Sequence, residues 1–269
     1  MNRLRTKATD GRDPRELAAM DIATYLDDKE SKPTYVRTMF DVIAPGYDAF
    51  TRIFSFGMDQ QWKSLLVGET VKRMPIRPCI LDVACGTGDL GMKLARQTAP
   101  SLALGLDFSP QMLTEARRRT SREGEFFLAG SDMLHLCIRD GSVDVVSMGY
   151  GLRNAADPVV ALREVARVLK PGGIFANLDF YQPVGSVWRR IFLPYMWYAG
   201  RLAGWLWHRE PITYGYIAES IRRYLTIADF ESLLEEIGFT VEWSAHPLGG
   251  AIGIHIARRL PSSYFSVQK

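Results

Sequence analysis

The stretch CILDVACGTGDLG (Cys79–Gly91) constrains this chain more than any other. An apolar run leads into glycines at 86, 88 and 91, and a helical pattern follows at Asp89–Gln97. Glycine lets the backbone take positive φ and approach a ligand closely. A strand, a glycine turn and a helix together form the opening unit of a nucleotide-binding parallel sheet. The same rhythm continues downstream. Leu102–Asp107, Phe126–Ala129, Val143–Met148 and Ile174–Phe180 read as strands. Ser109 and Pro110 open a helix that runs to about Arg119, and Asp157 and Pro158 open one that closes before Lys170-Pro171-Gly172-Gly173. Strands alternating with helices predict an α/β, doubly wound, mostly parallel sheet with right-handed crossovers. Thr226 and Asp229 cap a later helix that stops at Gly238. The last two strands, Phe239–Trp243 and Ala251–Ala257, have no helix between them, so an antiparallel edge strand is expected there.

Composition narrows the function classes. Of 269 residues, 33 are Lys or Arg and 30 Asp or Glu, a net charge of +3. Tracking a phosphate backbone needs concentrated basic charge, so no nucleic-acid partner is expected. The run Arg117–Arg119 with Arg122 reads as a solvated helix face. With 47% hydrophobic residues the chain is not a disordered one. Cys79, Cys85 and Cys137 are odd in number and lack CxxC spacing, which argues against a disulfide framework or zinc knuckle and for a reducing, cytoplasmic setting. Met1–Arg15 has no apolar h-region, and no run of about 18 apolar residues occurs, so neither a secretory signal nor a membrane span is expected. His135, His208, His246 and His255 are scattered without ligand spacing, so no metal is expected.

Acidic residues at the strand ends narrow the ligand. Asp107 ends the second strand, 19 residues after Gly88, where a carboxylate accepts both ribose hydroxyls. That leaves nicotinamide dinucleotides and S-adenosylmethionine (SAM) as rivals. Asp82 lies inside the first strand, four residues before Gly86. A carboxylate there repels a pyrophosphate and suits SAM, which carries a sulfonium and an amino group. Asp132, after the third strand, is placed to accept from an adenine amine, with Met133 packing on the ring. Each acid also has a purely structural reading: Asp82 as a cap on the turn after it, Asp132 as a solvated loop residue.

Residues 1–34 read as a charged extension with a short helix, opened by Asp13, Pro14 and Glu16 and closed near Lys32-Pro33. From Tyr35 to Met74 the pattern predicts aromatic-rich helices broken at Ala44-Pro45-Gly46. The main domain spans 35–260, with an insertion at about 183–225 and a tail at 261–269. Within the insertion, WRRIFLPYMWYAGRLAGWLWH (Trp188–His208) is too interrupted to span a bilayer. Its Trp, Tyr and Arg suit either a lid at a membrane interface, admitting a lipid tail, or an ordinary helix pair or homodimer interface.

DVACGTGDL, LDFSPQML and VARVLKPGG together resemble a class I SAM-dependent methyltransferase. FDVIAPGYDAFTRIFSFGMDQQW (Phe40–Trp62), GLRN (Gly151–Asn154) and YGYIAESI (Tyr214–Ile221) resemble more narrowly the ubiquinone/menaquinone-biosynthesis C-methyltransferases, over about Tyr35 to Arg258. The resemblance implies a Rossmann-like seven-stranded fold, SAM as cofactor and methylation of a ring carbon of a polyprenylated quinol. Thr87, Asp107, Asp132 and Met133 match the family's SAM contacts, and with Asp82, Gly86, Gly88, Phe108 and Gly149 they make up the expected cofactor-binding set. The serine of the family falls on Gly149, which leaves Ser147 as the nearby hydroxyl. Other departures, at Phe50-Thr51, Asp59 and Asp179-Phe180-Tyr181, fall on the expected acceptor side.

Methyl transfer to carbon needs an electron-rich ring, obtained by deprotonating a quinol hydroxyl, with the reacting pair held in line. Arg153 and Asn154, past the fourth strand, and Tyr47 are the catalytic candidates the resemblance implies. A guanidinium stabilises a phenolate but is no base, so a water held by Arg153 and Asn154, or Tyr47, would relay the proton. Arg153 also has a structural reading, pairing with an acid such as Asp157. Two rival functions stay open: a SAM methyltransferase for another hydrophobic phenol, and a non-catalytic scaffold of this fold, which the intact glycine loop disfavours.

Overall fold

The computed structural model describes residues 17, 20, 22–120, 126–183, 185, 190, 194–195, 197–198 and 212–261. The capping pattern at Asp13–Glu16, most of Trp188–His208 and the tail after 261 lie outside the described residues.

Seven strands form one sheet in the order β3-β2-β1-β4-β5-β7-β6. They are β1 (Cys79–Val83), β2 (Leu102–Asp107), β3 (Phe127–Gly130), β4 (Val143–Gly149), β5 (Leu169–Phe180), β6 (Phe239–Ala245) and β7 (Ile252–Arg259). β1 to β5 are mutually parallel and β7 runs antiparallel to both of its neighbours. The order reverses between β2 and β4 at β1, the switch point outside whose carboxyl end ligands bind in such sheets. The reversed strand is not the edge strand. β7 sits one place in, and β6 is the edge. Burial accounts for this: Ile252 to Ala257 are all buried, whereas β6 is buried only at Phe239. A strand covered on both faces belongs inside a sheet.

The helices are α1 (Ile22–Asp27), α2 (Lys32–Ile43), α3 (Tyr47–Phe54), α4 (Met58–Val71), α5 (Asp89–Thr98), α6 (Pro110–Thr120), α7 (Pro158–Val168), α8 (Ile212–Arg222) and α9 (Ile227–Ile237), of which α5, α6, α7 and α9 start where predicted. Ser109 Oγ accepts from the Met112 N–H, and Asp157 Oδ1 from Val159 and Val160, as caps should. Thr226 and Asp229 form a reciprocal capping box. Three expectations shift. Lys32-Pro33 opens α2 rather than ending a helix, since proline is tolerated in a first turn. KPGG is taken into β5: Leu169 pairs with Val143, and Gly172 at φ 79° lets the strand bulge before Ile174 rejoins at Val145. The extension before residue 35 packs on the body where it is described. Leu17 and Leu26 are buried against Tyr35, Met39 and Tyr216.

Two apolar layers sandwich the sheet. One joins α7 and α9 to its first face through Leu162, Val165, Phe230 and Leu234, and the other joins α4 and α5 to its second through Leu66, Val67 and Leu94.

Candidate functional site

At the carboxyl end of β1 the chain makes the predicted glycine turn. Ala84, Gly86 and Gly88 all take positive φ, at 53°, 55° and 81°. The glycines meet that conformation freely, whereas Ala84 holds it at a cost of about 1–3 kcal/mol. Gly91 serves close approach instead: a Cβ there would lie 2.5 Å from the Phe126 ring and 2.8 Å from Asp82 Cβ. The loop walls a cleft of about 640 Å³, open to solvent, lined among others by Asp82, Thr87, Asp89, Asp107, Phe108 and Gly149. A second cleft of about 490 Å³ shares Ala84, Asp107, Phe108 and Met133 with it and runs on to Asp132.

Backbone donors hold the two buried carboxylates. Asp107 Oδ2 accepts from the Gly86 N–H at 2.8 Å and Oδ1 from the Ser109 N–H at 2.9 Å. Each oxygen keeps a further lone pair, so the acid that positions the loop is still able to accept from a ligand. Asp82 Oδ2 accepts from Gly91 N–H at 2.9 Å and Oδ1 from Ser147 Oγ at 2.6 Å. Asp82 and Ser147 are register partners on β1 and β4, which puts their side chains on one face. Ser147 is thus fully buried and engaged with Asp82, so it does not replace the hydroxyl missing at Gly149. Burial raises both acids, Asp82 to about 7 and Asp107 to about 6. Thr87 Oγ1 donates to Asp48 Oδ1 and Asp48 Oδ2 pairs with Arg119, so Asp48, next to Tyr47, ties α3 directly to the glycine loop. Arg119 is therefore not merely a solvated residue.

A third cavity of about 570 Å³ adjoins the first and shares Phe40, Tyr47 and Tyr150 with it. Its wall is mostly apolar and comes from α2, α3, α4, β5 and α8, with Asp59 and Arg153 as its charged lining residues. Arg153 lies in a 3₁₀ turn (Leu152–Asn154) after β4. Its NH1 donates to Asp179 Oδ1 at 2.6 Å and to the Tyr150 carbonyl at 2.7 Å, and the guanidinium lies 5.2 Å from the Phe180 ring centroid. The acid that pairs with it is Asp179, not Asp157, which is engaged by Lys29 and by α7. Asn154 Nδ2 donates to the Tyr150 carbonyl and its Oδ1 accepts from Tyr216 Oη at 2.9 Å. The GLRN and YGYIAESI motifs therefore meet at a single hydrogen bond. Glycine opens GLRN because a Cβ at 151 would lie 2.8 Å from Ala84 Cβ.

Several residues here carried no signal. Lys63 is buried in α4 and bridges Asp89 at 2.8 Å and Asp59 at 3.5 Å, with Gln60 donating to both acids. Only the helical period of Met58–Val71 could have placed Lys63 and Asp59 on one face. Tyr181, grouped with the acceptor side, instead packs beneath the sheet on Tyr224, Phe230 and His255. The histidines are not all scattered: His246 and His255 converge on Glu231.

The sequence profile of the ubiE/COQ5 methyltransferase family matches residues 27–259. The chain belongs to that family. It is an enzyme, and SAM is its methyl donor. Similar proteins include demethylmenaquinone methyltransferases of Listeria monocytogenes, 34% identical over 84% of this chain and 96% of the relative, and of Thermus thermophilus, 34% identical over 82% and 100%. Among solved structures, a chain of the Haloferax volcanii complex with the Trm112 methyltransferase activator superposes with a TM-score of 0.59 at 21% identity, over 82% of this chain and 98% of that one. A SAM-dependent methyltransferase from Aquifex aeolicus does so at 0.52 and 16%, over 75% and 98%. At those identities the structures speak for the fold. Among the described residues, no helix of this methyltransferase is long and apolar enough to cross a membrane.

Proposed function

We propose that this methyltransferase transfers a methyl group from SAM to a ring carbon of a polyprenylated quinol, with a demethylmenaquinol as the acceptor. The observation that carries the reading is the mostly apolar chamber beside the SAM cleft, where an aromatic wall is interrupted by one buried guanidinium and one buried carboxylate. The curated relatives named above act, by their names, on demethylmenaquinone.

The cleft suits SAM. Asp107 has lone pairs free for the ribose hydroxyls, Phe108 and Met133 offer faces to adenine, and Asp132 stands at the far end for its amine. Gly86, Thr87 and Gly149 wall the side where the amino acid moiety would lie, and Gly88 turns the chain into the helix behind them. Asp82, Asp89 and Asp107 against Lys63 leave the cleft anionic, which favours a cationic ligand. When bound, SAM supplies an electrophilic methyl group on a sulfonium.

The chain's own residues prepare the acceptor. Arg153, fixed by Asp179, presents positive charge to the chamber and lowers the pKa of a quinol hydroxyl placed there. Burial holds the Tyr47 phenol above its usual range, so at neutral pH it is a hydrogen-bond donor rather than a base. Asn154, engaged at both ends of its amide, is a positioning residue. Asp59 is the one carboxylate among the described lining residues of the chamber, and we assign it the quinol proton. The lipid tail would leave past α3, where Ile53 and the following Phe56 are 60% and 77% exposed and supply an apolar surface for peripheral membrane contact.

Purified protein with methyl-labelled SAM should label demethylmenaquinol well above a demethylated ubiquinol precursor and a panel of soluble phenols. Preferential labelling of the ubiquinol precursor would move the head group, and preferential labelling of a soluble phenol would overturn the quinol reading. The latter outcome has its own structural support in Thr51 and Asp59, which depart from the family and line the chamber.

A further inference from the structure

Outside the lining of these cavities, three side chains from separate elements converge. Glu231 projects from α9, His246 follows β6, and His255 lies in the middle of β7. Their ligating atoms all lie within 4.8 Å of one another. Glu231 Oε1 is 3.6 Å from His246 Nε2 and 3.4 Å from His255 Nε2. None of the three lines the SAM cleft or the acceptor chamber.

His255 is the telling member. It is fully buried, and neither ring nitrogen has a hydrogen-bond partner among the described residues. Buried polar groups left unpaired are costly, so such a residue calls for a ligand. Its orientation is fixed by edge-on contacts with Tyr181 and Phe230, at centroid distances of 5.5 and 5.0 Å. The space it occupies is kept open by Gly253, where a Cβ would fall 2.6 Å from the His255 ring. Both imidazoles aim Nε2 at one Glu231 oxygen, yet His255 Nε2 makes no hydrogen bond to it. A cation can serve all three. A tetrahedral site with bonds of about 2.0–2.2 Å has donor–donor edges of roughly 3.4 Å, close to both Glu231 distances.

We propose that Glu231, His246 and His255 form a binding site for a divalent transition-metal ion of the zinc type. Two imidazoles and one carboxylate match zinc, whereas magnesium and calcium call for oxygen donors throughout. The partly exposed His246 and Glu231 side chains, at 41% and 32%, give the ion a way in and leave a coordination position to water. Three elements are tied by one ion, so the metal would secure the β6–β7 edge against α9.

The test uses the full chain freed of metal by a chelator, titrated by calorimetry with zinc chloride or magnesium chloride and followed by thermal melting. Zinc is expected to bind one-to-one and raise the melting temperature, and magnesium to do neither. Cobalt in place of zinc should give the visible absorption of tetrahedral coordination. His246→Ala and Glu231→Gln alter partly exposed side chains and should fold. Each is expected to lose ~100-fold in zinc affinity, as loss of one ligand of three predicts. Absence of zinc binding in the chelated wild type would overturn the site. So would His246→Ala binding zinc as tightly as wild type, which would place the ion on other surface groups.

Discussion

The SAM cleft and the acceptor chamber share a wall but are built on different principles. The cleft is made where strands end: Asp82 and Asp107 lie in the last two residues of β1 and β2, the glycine turn and Asp132 follow β1 and β3, and backbone N–H groups after the strands hold Asp82 and Asp107. The chamber is made by packing. Arg153 comes from the turn after β4, Asp179 from β5, Tyr216 from α8, and the aromatic wall from α2 to α4, up to 177 positions apart between Met39 and Tyr216. Perturbing one should leave the other largely intact.

The largest separation should come from Arg153. Arg153→Ala is expected to lower turnover by ~10³-fold, as removal of a charged transition-state donor does, with SAM affinity changed less than about threefold. It also leaves Asp179 buried and unpaired, at a cost of about 3–5 kcal/mol. The double variant Arg153→Ala/Asp179→Asn distinguishes the two effects. Thermal melting should recover towards wild type while turnover stays low. Turnover recovering together with stability would make Arg153 a structural residue only.

Asp59→Asn follows. Its shape and its contacts with Ser55 and Gln60 allow an amide, so folding should hold. Turnover is expected to fall by ~10²-fold, the typical worth of a positioned base, with acceptor KM nearly unchanged. In the cleft, Asp107→Ala should invert the pattern: calorimetry should show SAM affinity down by ~10²-fold, about 2.7 kcal/mol, for loss of a charged acceptor.

The pH dependence distinguishes the two regions as well. Burial raises the folded-state pKa of Asp82 to about 7, against about 4 when unfolded. The native protein then binds the proton more tightly than the unfolded chain, so this group's contribution to stability falls as pH rises from about 4 to 7 and is flat above. A cationic ligand in the cleft favours the ionised acid. SAM affinity should therefore rise from pH 5.5 to about 7 and level off, and Asp82→Asn should flatten that rise. Acceptor KM, set in the other cavity, should not follow the same curve in the variant.

The contrast also explains what was legible in the amino-acid pattern. The sheet, its helix caps and Asp82, Gly86, Asp107 and Met133 could be read because their signals are local: glycine where φ is positive, an acid at a strand's end, Ser109 or Asp157 before a helix. Asp179 stood out only as a departure, because its meaning lies in Arg153, 26 positions away in the turn that follows the neighbouring strand. Lys63 carried no signal, since a buried cation is defined by the two acids around it. The inward place of β7 was missed because hairpin logic gives its direction and not its rank in the sheet. His246 and His255 look unrelated at a spacing of nine, and only the β6–β7 reversal makes them neighbours.

The finest probe of the comparison is the bond between the two family motifs. Tyr216 Oη donates to Asn154 Oδ1 in a fully buried setting, and Asn154 in turn donates to the Tyr150 carbonyl that also takes Arg153. Tyr216→Phe keeps the ring that stacks on Tyr35 and removes only the hydroxyl, leaving the Asn154 oxygen unpaired at a cost of about 1–2 kcal/mol. Released at one end, Asn154 no longer holds the Arg153 turn as firmly. Turnover is expected to fall by about threefold to tenfold, because a small loss of alignment raises the barrier by only ~1 kcal/mol. SAM affinity should move less than turnover, since Asp107 is held by the Gly86 and Ser109 N–H groups and not by this bond, although Asn154 also lines the cleft. A Tyr216→Phe protein that weakened SAM as much as it slowed turnover would show that the cleft and the chamber are one coupled unit rather than two.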